Sequence, residues 1–232
     1  MLTTVREYTT DLYRLFFPKI CGGCDNPLTK GEDHLCLNCR LELPFTNFET
    51  IKDNPVERVL YGRVNLEFAT SLLFFSKGEK VQNILHNIKY NEQKELGIYL
   101  GRIFGERLQN NPYLKDVTTL IPVPLHPQKQ HLRGYNQSDL FAEGMNEILN
   151  IEMQTANLYR VTNTATQTNK SRMERWENVE NVFRLKNPLN VQNKHILLID
   201  DVLTTGATLE ACAQTLLKNN CKVSIATIAY AM

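Results

Sequence analysis

Asp200 and Asp201 stand side by side at the end of a short apolar run, Ile196-Leu197-Leu198-Ile199. A hydroxyl-rich turn follows, Thr204-Thr205-Gly206-Ala207-Thr208. Gly206 lets the backbone approach a ligand closely. A helix opening just after it turns the peptide N–H groups around Thr205 to Thr208 into a phosphate cradle. The hydroxyls of Thr204, Thr205 and Thr208 add donors. Two carboxylates beside such a cradle would repel the anion, so they face something else. Sugar hydroxyls, which donate to carboxylates, are one partner and a bound Mg²⁺ is another. The stretch therefore suits a phosphorylated ribose, with phosphate on the amides and ribose hydroxyls on Asp200 and Asp201.

Cys21-Gly-Gly-Cys24 and Cys36-Leu-Asn-Cys39 form a second constellation. Each pair can place two thiolates on one ion. Zinc prefers tetrahedral sulfur, and four thiolates close its shell, so the implied site is structural. The gap between the pairs is shorter than the common zinc-ribbon spacing, which implies a compact knuckle. The competing reading is a redox dithiol, which one pair would explain better than two. His34 lies close enough to substitute for a thiolate, but with four cysteines at hand it is expected to be exposed. Cys212 and Cys221 read as small core residues.

The elements that must position these groups follow from periodicity. Ile196 to Ile199 reads as a buried strand. Leu209, Cys212, Leu216 and Leu217 recur at helical spacing, Asn219-Asn220 can stop that helix in a left-handed cap, and Val223 to Ile228 is the next strand. Strand–turn–helix–strand implies a parallel sheet, whose ligands bind outside the carboxyl ends of the strands. Further strands are expected over 66–75, 117–123, 158–161 and 181–185. Helices are expected over 3–17, 79–89, 92–108 and 138–149. Gly97, Gly101 and Gly105 share a face of the 92–108 helix and should let another helix pack closely. Residues 44 to 65, polar and with Pro44 and Pro55, read as a linker or hinge.

The segment from Pro122 to Gln137 is a proline-stiffened loop after a strand. An anion there would use the amides of residues such as Leu125 and His126, with the side chains of Lys129 and Arg133. Residues 162 to 181 are polar and aperiodic; Lys170, Arg172 and Arg175 lie in them. A long polar excursion is either functional or a solvated loop.

The chain has 232 residues and 42% hydrophobic content, enough for one sizeable core plus a small satellite. With 26 basic and 25 acidic residues the net charge is +1, which excludes a strongly basic nucleic-acid coat but not a local patch. No apolar run reaches the ~18 residues of a membrane span. Arg6, Glu7, Asp11 and Arg14 argue against a signal peptide, so a cytoplasmic protein is expected. A Walker B strand also ends in acids, but none of the eleven glycines supplies the phosphate loop it needs.

The stretch 196–208 resembles the PRPP (5-phosphoribosyl-1-pyrophosphate) motif of type I phosphoribosyltransferases. Ile121-Pro-Val-Pro-Leu-His126 with Arg133-Gly-Tyr-Asn-Gln137 is similar to a marker of the ComF family of competence proteins. Arg160, Thr166-Gln167, Arg172, Asn178-Val179, Phe183 and the N-terminal cysteine pairs share the likeness. Two departures are Lys129, where many relatives carry Arg, and Asn219-Asn220, where a glycine turn is usual.

The resemblance implies an α/β, parallel-sheet, phosphoribosyltransferase-like fold over residues 51–232, behind a small four-cysteine zinc domain in residues 1–50. It implies Mg²⁺ with PRPP on Asp200, Asp201, Thr204, Thr205, Gly206, Ala207 and Thr208. The 122–133 loop takes pyrophosphate, and 162–181 is a lid bringing Lys170, Arg172 and Arg175 to phosphates. The role implied is natural transformation: handling incoming single-stranded DNA beside a helicase-like partner, cytoplasmic or held at the inner membrane through partners. The alternative is an active transferase moving phosphoribose to a nitrogen acceptor that no residue pattern names.

Overall fold

A computed structural model of the protein describes residues 17–90, 93–161 and 182–231. The expected N-terminal helix falls, except for Phe17, outside the described residues. So does the segment 162–181 with Lys170, Arg172 and Arg175.

The strands are, in chain order, β1 (Phe68–Phe75), β2 (Val117–Pro122), β3 (Glu152–Met153), β4 (Leu158–Arg160), β5 (Phe183–Leu185), β6 (His195–Leu203) and β7 (Lys222–Ala231). Five of them make a sheet in the order β1-β7-β6-β2-β3, parallel throughout, while β4 and β5 form a separate antiparallel ribbon. β3 is a two-residue edge strand, too short for any period to show in the sequence. The helices are α1 (Leu37–Leu41), α2 (Pro55–Arg58), α3 (Lys80–Tyr90), α4 (Lys94–Leu108), α5 (Pro127–Arg133), α6 (Gln137–Leu149) and α7 (Ala207–Leu217).

The continuous apolar run of β6 is explained by burial on both faces. Leu197 and Ile199 join a core with α3, α4 and α6, whereas Ile196 and Leu198 join one with α7, Val56, Leu60 and the β4–β5 ribbon. The cysteine unit belongs to the first core: Cys21, Leu35, Cys39 and Leu43 are buried beside Val81, Ile84 and Leu96.

Residues 44–65 are not a hinge. The amide of Phe74 donates to the Pro44 carbonyl at 2.8 Å and that of Thr46 to the Leu72 carbonyl at 3.0 Å, so this stretch lines the outer edge of β1. Asn54 then caps α2, its Oδ1 accepting from the Val56 and Glu57 amides while its Nδ2 donates to Ala69 O at 2.8 Å. α2 has four residues, too few for helical periodicity, yet Val56 and Leu60 are almost wholly buried. The 122–137 segment likewise contains a helix, α5. Pro127 sits in its first turn, where a missing N–H costs nothing.

The glycine stripe of α4 does pack a helix. A Cβ on Gly101 would stand 2.9 Å from the Gly144 Cα, and one on Gly144 would stand 2.8 Å from the Ile98 carbonyl carbon. α4 and α6 therefore meet backbone to backbone. Gly144→Ala is expected to lower stability by roughly 1–3 kcal/mol, as overpacking does. The urea midpoint measures it, and an unchanged midpoint would show that the helices can part without cost.

Candidate functional site

The chain leaves β2 through α5 and α6 to reach β3 on one side, and leaves β6 through α7 to reach β7 on the other. The sheet order therefore reverses between β2 and β6, and the crevice outside their carboxyl ends is where ligands bind such sheets. β6 runs further than its apolar run suggests: Asp200 pairs with Thr227, and Val202 and Leu203 with Ala229 and Tyr230. The two acids thus lie within the strand, and the turn begins only at Thr204.

Asp200 is 9% exposed, and its Oδ1 accepts from the Ser138 hydroxyl at 3.2 Å and from the Asp201 amide at 2.9 Å. Burial first, and then the neighbouring Asp201 charge, pushes its carboxyl up to about 8. Asp201 is the acid that reaches the crevice. Its Oδ2 accepts from the Lys89 ammonium at 2.6 Å and the Gln137 amide at 2.9 Å, and its Oδ1 from the Val202 amide at 2.7 Å. Ser138 and Gln137 both come from the first turn of α6, whose positive end favours the acids. Asn136 fixes that turn by capping Ser138 N and donating to the Val123 carbonyl at 3.0 Å.

Thr204, Thr205, Ala207 and Thr208 are exposed around Gly206, which starts α7 at φ +77° with no side-chain cap. The first-turn amides of α7 have no carbonyl of their own helix to bond. Gly206 is required for a reason beyond ligand approach. Its φ is left-handed, and an added Cβ would stand 2.8 Å from Leu60 Cδ2 and 3.3 Å from Val59 Cγ1. Arg63 holds the same turn, donating from Nη1 to Thr205 O at 2.6 Å and from Nε to Glu210 at 2.8 Å. The supposed hinge is thus the floor of the loop.

The four candidates in the 122–133 segment separate. Arg133 faces the crevice: Nη1 donates to Gln137 Oε1 at 2.9 Å, Nη2 donates to the Tyr90 hydroxyl at 3.0 Å, and its guanidinium lies 4.9 Å from the Tyr90 ring centre. Leu125 and His126 are half-buried ahead of α5, and His126 Nδ1 accepts from Gln128 N at 3.3 Å, so this histidine is a helix cap. Lys129 lies exposed on α5. Sequence reasoning gave no role to Lys89, Ser138 or Arg63, and quoted Gln137 only as part of a motif. The adjacent Lys89-Tyr90, closing an amphipathic helix, was the one available signal.

The sulfur atoms of Cys21, Cys24, Cys36 and Cys39 all lie within 4.8 Å of one another, and Cys24 and Cys36 are 3.8 Å apart. A tetrahedron of ~2.3 Å zinc–sulfur bonds has edges of about 3.8 Å, so the four residues fit one ion. Burial opposes ionisation of Cys21, but amides of Cys36, Gly23 and Cys24 outweigh it and lower the thiol to about 7. Burial and the other thiols push Cys39 up. His34 is half-buried rather than exposed. Its ring packs 5.4 Å from that of Tyr99, and it supplies only a carbonyl to the knuckle, at 2.8 Å from Gly22 N. The knuckle is bonded to α3, with Asn87 Nδ2 donating to Gly22 O at 2.9 Å and Asn83 Nδ2 to Gly23 O at 3.2 Å. Among the described residues, no other group of three or more His, Cys, Asp or Glu converges.

A parallel sheet with a hydroxyl-rich turn and acids at its switch point defines a phosphoribosyltransferase-type α/β protein, and residues 140–232 match the phosphoribosyl transferase domain. The chain has homologues named competence protein F, competence protein ComFC and DNA utilization protein YhgH. It is 38% identical over 106 residues to competence protein F of Haemophilus influenzae, covering 45% of this chain and 46% of that one. It is 27% identical over 209 residues to competence protein ComFC of Bacillus subtilis, covering 90% and 82%. Against the DNA utilization protein YhgH of Salmonella typhimurium it is 33% identical over 139 residues, which is 59% of this chain and 60% of that protein's length.

The raised Asp200 carboxyl has a measurable consequence. Its folded pKa of about 8 exceeds the ordinary 3.8, so between these values the native state holds more protons than the unfolded one. Stability from this group is therefore lost as pH rises through that window. The unfolding midpoint of the parent should fall relative to that of Asp200→Asn between pH about 5 and about 8. Parallel profiles would show that the carboxyl is not desolvated.

Proposed function

We propose that the crevice between β2 and β6 binds a phosphorylated ribose of the PRPP kind, in a protein that handles incoming single-stranded DNA during natural transformation. One observation carries the pocket: the exposed first turn of α7, started by Gly206 and capped by no side chain, opens beside Asp201 at the switch point of the sheet. The turn offers amides and three hydroxyls to a 5′-phosphate, and Asp201 offers an acceptor to ribose hydroxyls. Asp200 supports the strand end from below. Mg²⁺ would come as the counterion of the diphosphate, since among the described residues no third carboxylate converges there.

The DNA side of the reading comes from the relatives, whose names speak of competence and DNA utilization. α5 agrees with it: Lys129 and His131 are exposed on a helix with no buried residue, where they can meet a phosphate backbone. The protein would act in the cytoplasm, reaching the inner membrane through a helicase-like partner. Among the described residues no helix is long and apolar enough to cross a membrane. A second reading, transfer of the phosphoribosyl group to a nitrogen acceptor, is favoured by the cations Lys89 and Arg133 beside the acids. There they would stabilise a departing diphosphate.

Calorimetry with Mg²⁺-PRPP, and separately with a short oligonucleotide, tests both parts. Asp201→Asn should cost ~10–100-fold in PRPP affinity, the worth of one charge-assisted hydrogen bond. No binding of PRPP at millimolar concentration removes the pocket reading. Pyrophosphate release with a nucleobase moves the conclusion to the transferase.

The four cysteines would hold one structural Zn²⁺, with residues 1–50 as the metal-binding part and 51–232 as the ligand-binding part. Purified protein should carry about one equivalent of zinc. Cys24→Ser should lose it and loosen α3 as well, because the knuckle and α3 share a core. Metal-free protein with four freely alkylated thiols would end this assignment.

A further inference from the structure

We infer that Lys89 sets which phosphoribosyl ligand the pocket accepts, favouring one with a diphosphate on C1 over one without; this rests on the pocket proposed above. The argument starts at Asp201. A carboxylate has about four lone-pair positions. Three are in use, by Lys89 and Gln137 on Oδ2 and by the Val202 amide on Oδ1. The one free position, on Oδ1, can take a single ribose hydroxyl, so the second of a vicinal pair must compete at Oδ2 with an ammonium 2.6 Å away.

That competition is unfavourable unless the ammonium finds another anion. The side chains of Lys89 and Asp201 are 22% and 13% exposed, so water only partly replaces the lost partner. Ribose 5-phosphate brings one phosphate, and the α7 turn takes it. It has no charge to offer Lys89. A ligand with a diphosphate on C1 carries anionic oxygens on the other side of the ribose. Arg133 marks where they would be received, because its guanidinium shares Gln137 with Asp201 and stacks on Tyr90, the residue after Lys89. Displacing Lys89 from Asp201 then exchanges one anion for another. Lys89 acts as a discriminator by penalising the ligand that leaves it unpaired.

Isothermal titration of the full chain with Mg²⁺-PRPP and with ribose 5-phosphate tests this in the parent, Lys89→Met and Lys89→Gln. The parent should prefer PRPP by about tenfold or more. In Lys89→Met the PRPP affinity should fall about tenfold while that of ribose 5-phosphate holds or rises, so the preference collapses. Lys89→Gln keeps a hydrogen bond to Asp201 without the charge. It should give the same collapse, and it serves if the methionine variant does not fold. Equal weakening of both ligands in Lys89→Gln would make Lys89 a general phosphate attractor and overturn the inference. So would an unaltered preference. A parent that binds neither ligand removes the pocket itself, an outcome distinct from a parent that binds both and ignores Lys89.

Discussion

Two carboxylates in sequence at the covered end of a parallel strand are the constraint to which the rest of the site responds. Asp200 is nearly buried and Asp201 is next to it, so burial and then the neighbouring charge raise the cost of charging Asp200. The compensation comes from three directions. The first turn of α6 supplies Ser138, Gln137 and the positive end of a helix. The strand's own amides at Asp201 and Val202 supply two hydrogen bonds. α3 supplies the Lys89 ammonium. Asp200 is the more buried of the two and Asp201 the one paired with a cation, so the two acids of the motif sit in different surroundings.

Placing those partners explains packing that would otherwise look incidental. α6 can lie where its first turn meets the acids because Gly101 and Gly144 let α4 and α6 touch at the backbone. Its start is tied to the end of β2 through Asn136 and the Val123 carbonyl. α3 is held along its length by Asn83 and Asn87, bonded to the glycines between Cys21 and Cys24. The cysteine knuckle therefore shares one rigid element with the acid pair rather than hanging from it as an appendage. The segment 44–65 fixes the last part, with Val59 and Leu60 under Gly206 and Arg63 on the Thr205 carbonyl.

The amino-acid sequence by itself determined the parts whose signals are local. The run Ile196–Ile199 implied a strand buried on both faces. The hydroxyl-rich turn with Gly206 implied a helix start open to an anion, and the cysteine spacing implied one four-thiolate cluster. The glycine stripe of α4 implied a close helix neighbour. These follow from short-range chemistry and periodicity, which neighbours in the chain carry without help.

Only the tertiary structure decided which groups meet. Lys89 and Asp201 are far apart in sequence, and nothing in either neighbourhood marks them as a pair. Arg133 and Lys129 look equivalent in the chain, yet one turn of α5 sends the first to Gln137 and Tyr90 and leaves the second exposed. Residues 44–65 read as a hinge because α2 is too short to show a period. They fold because Val56 and Leu60 find a core that other segments build. Charge pairing and the burial of isolated apolar residues depend on the sheet order, which sets β6 between β2 and β7 with the start of α6 against its acids, and that order is a property of the whole chain.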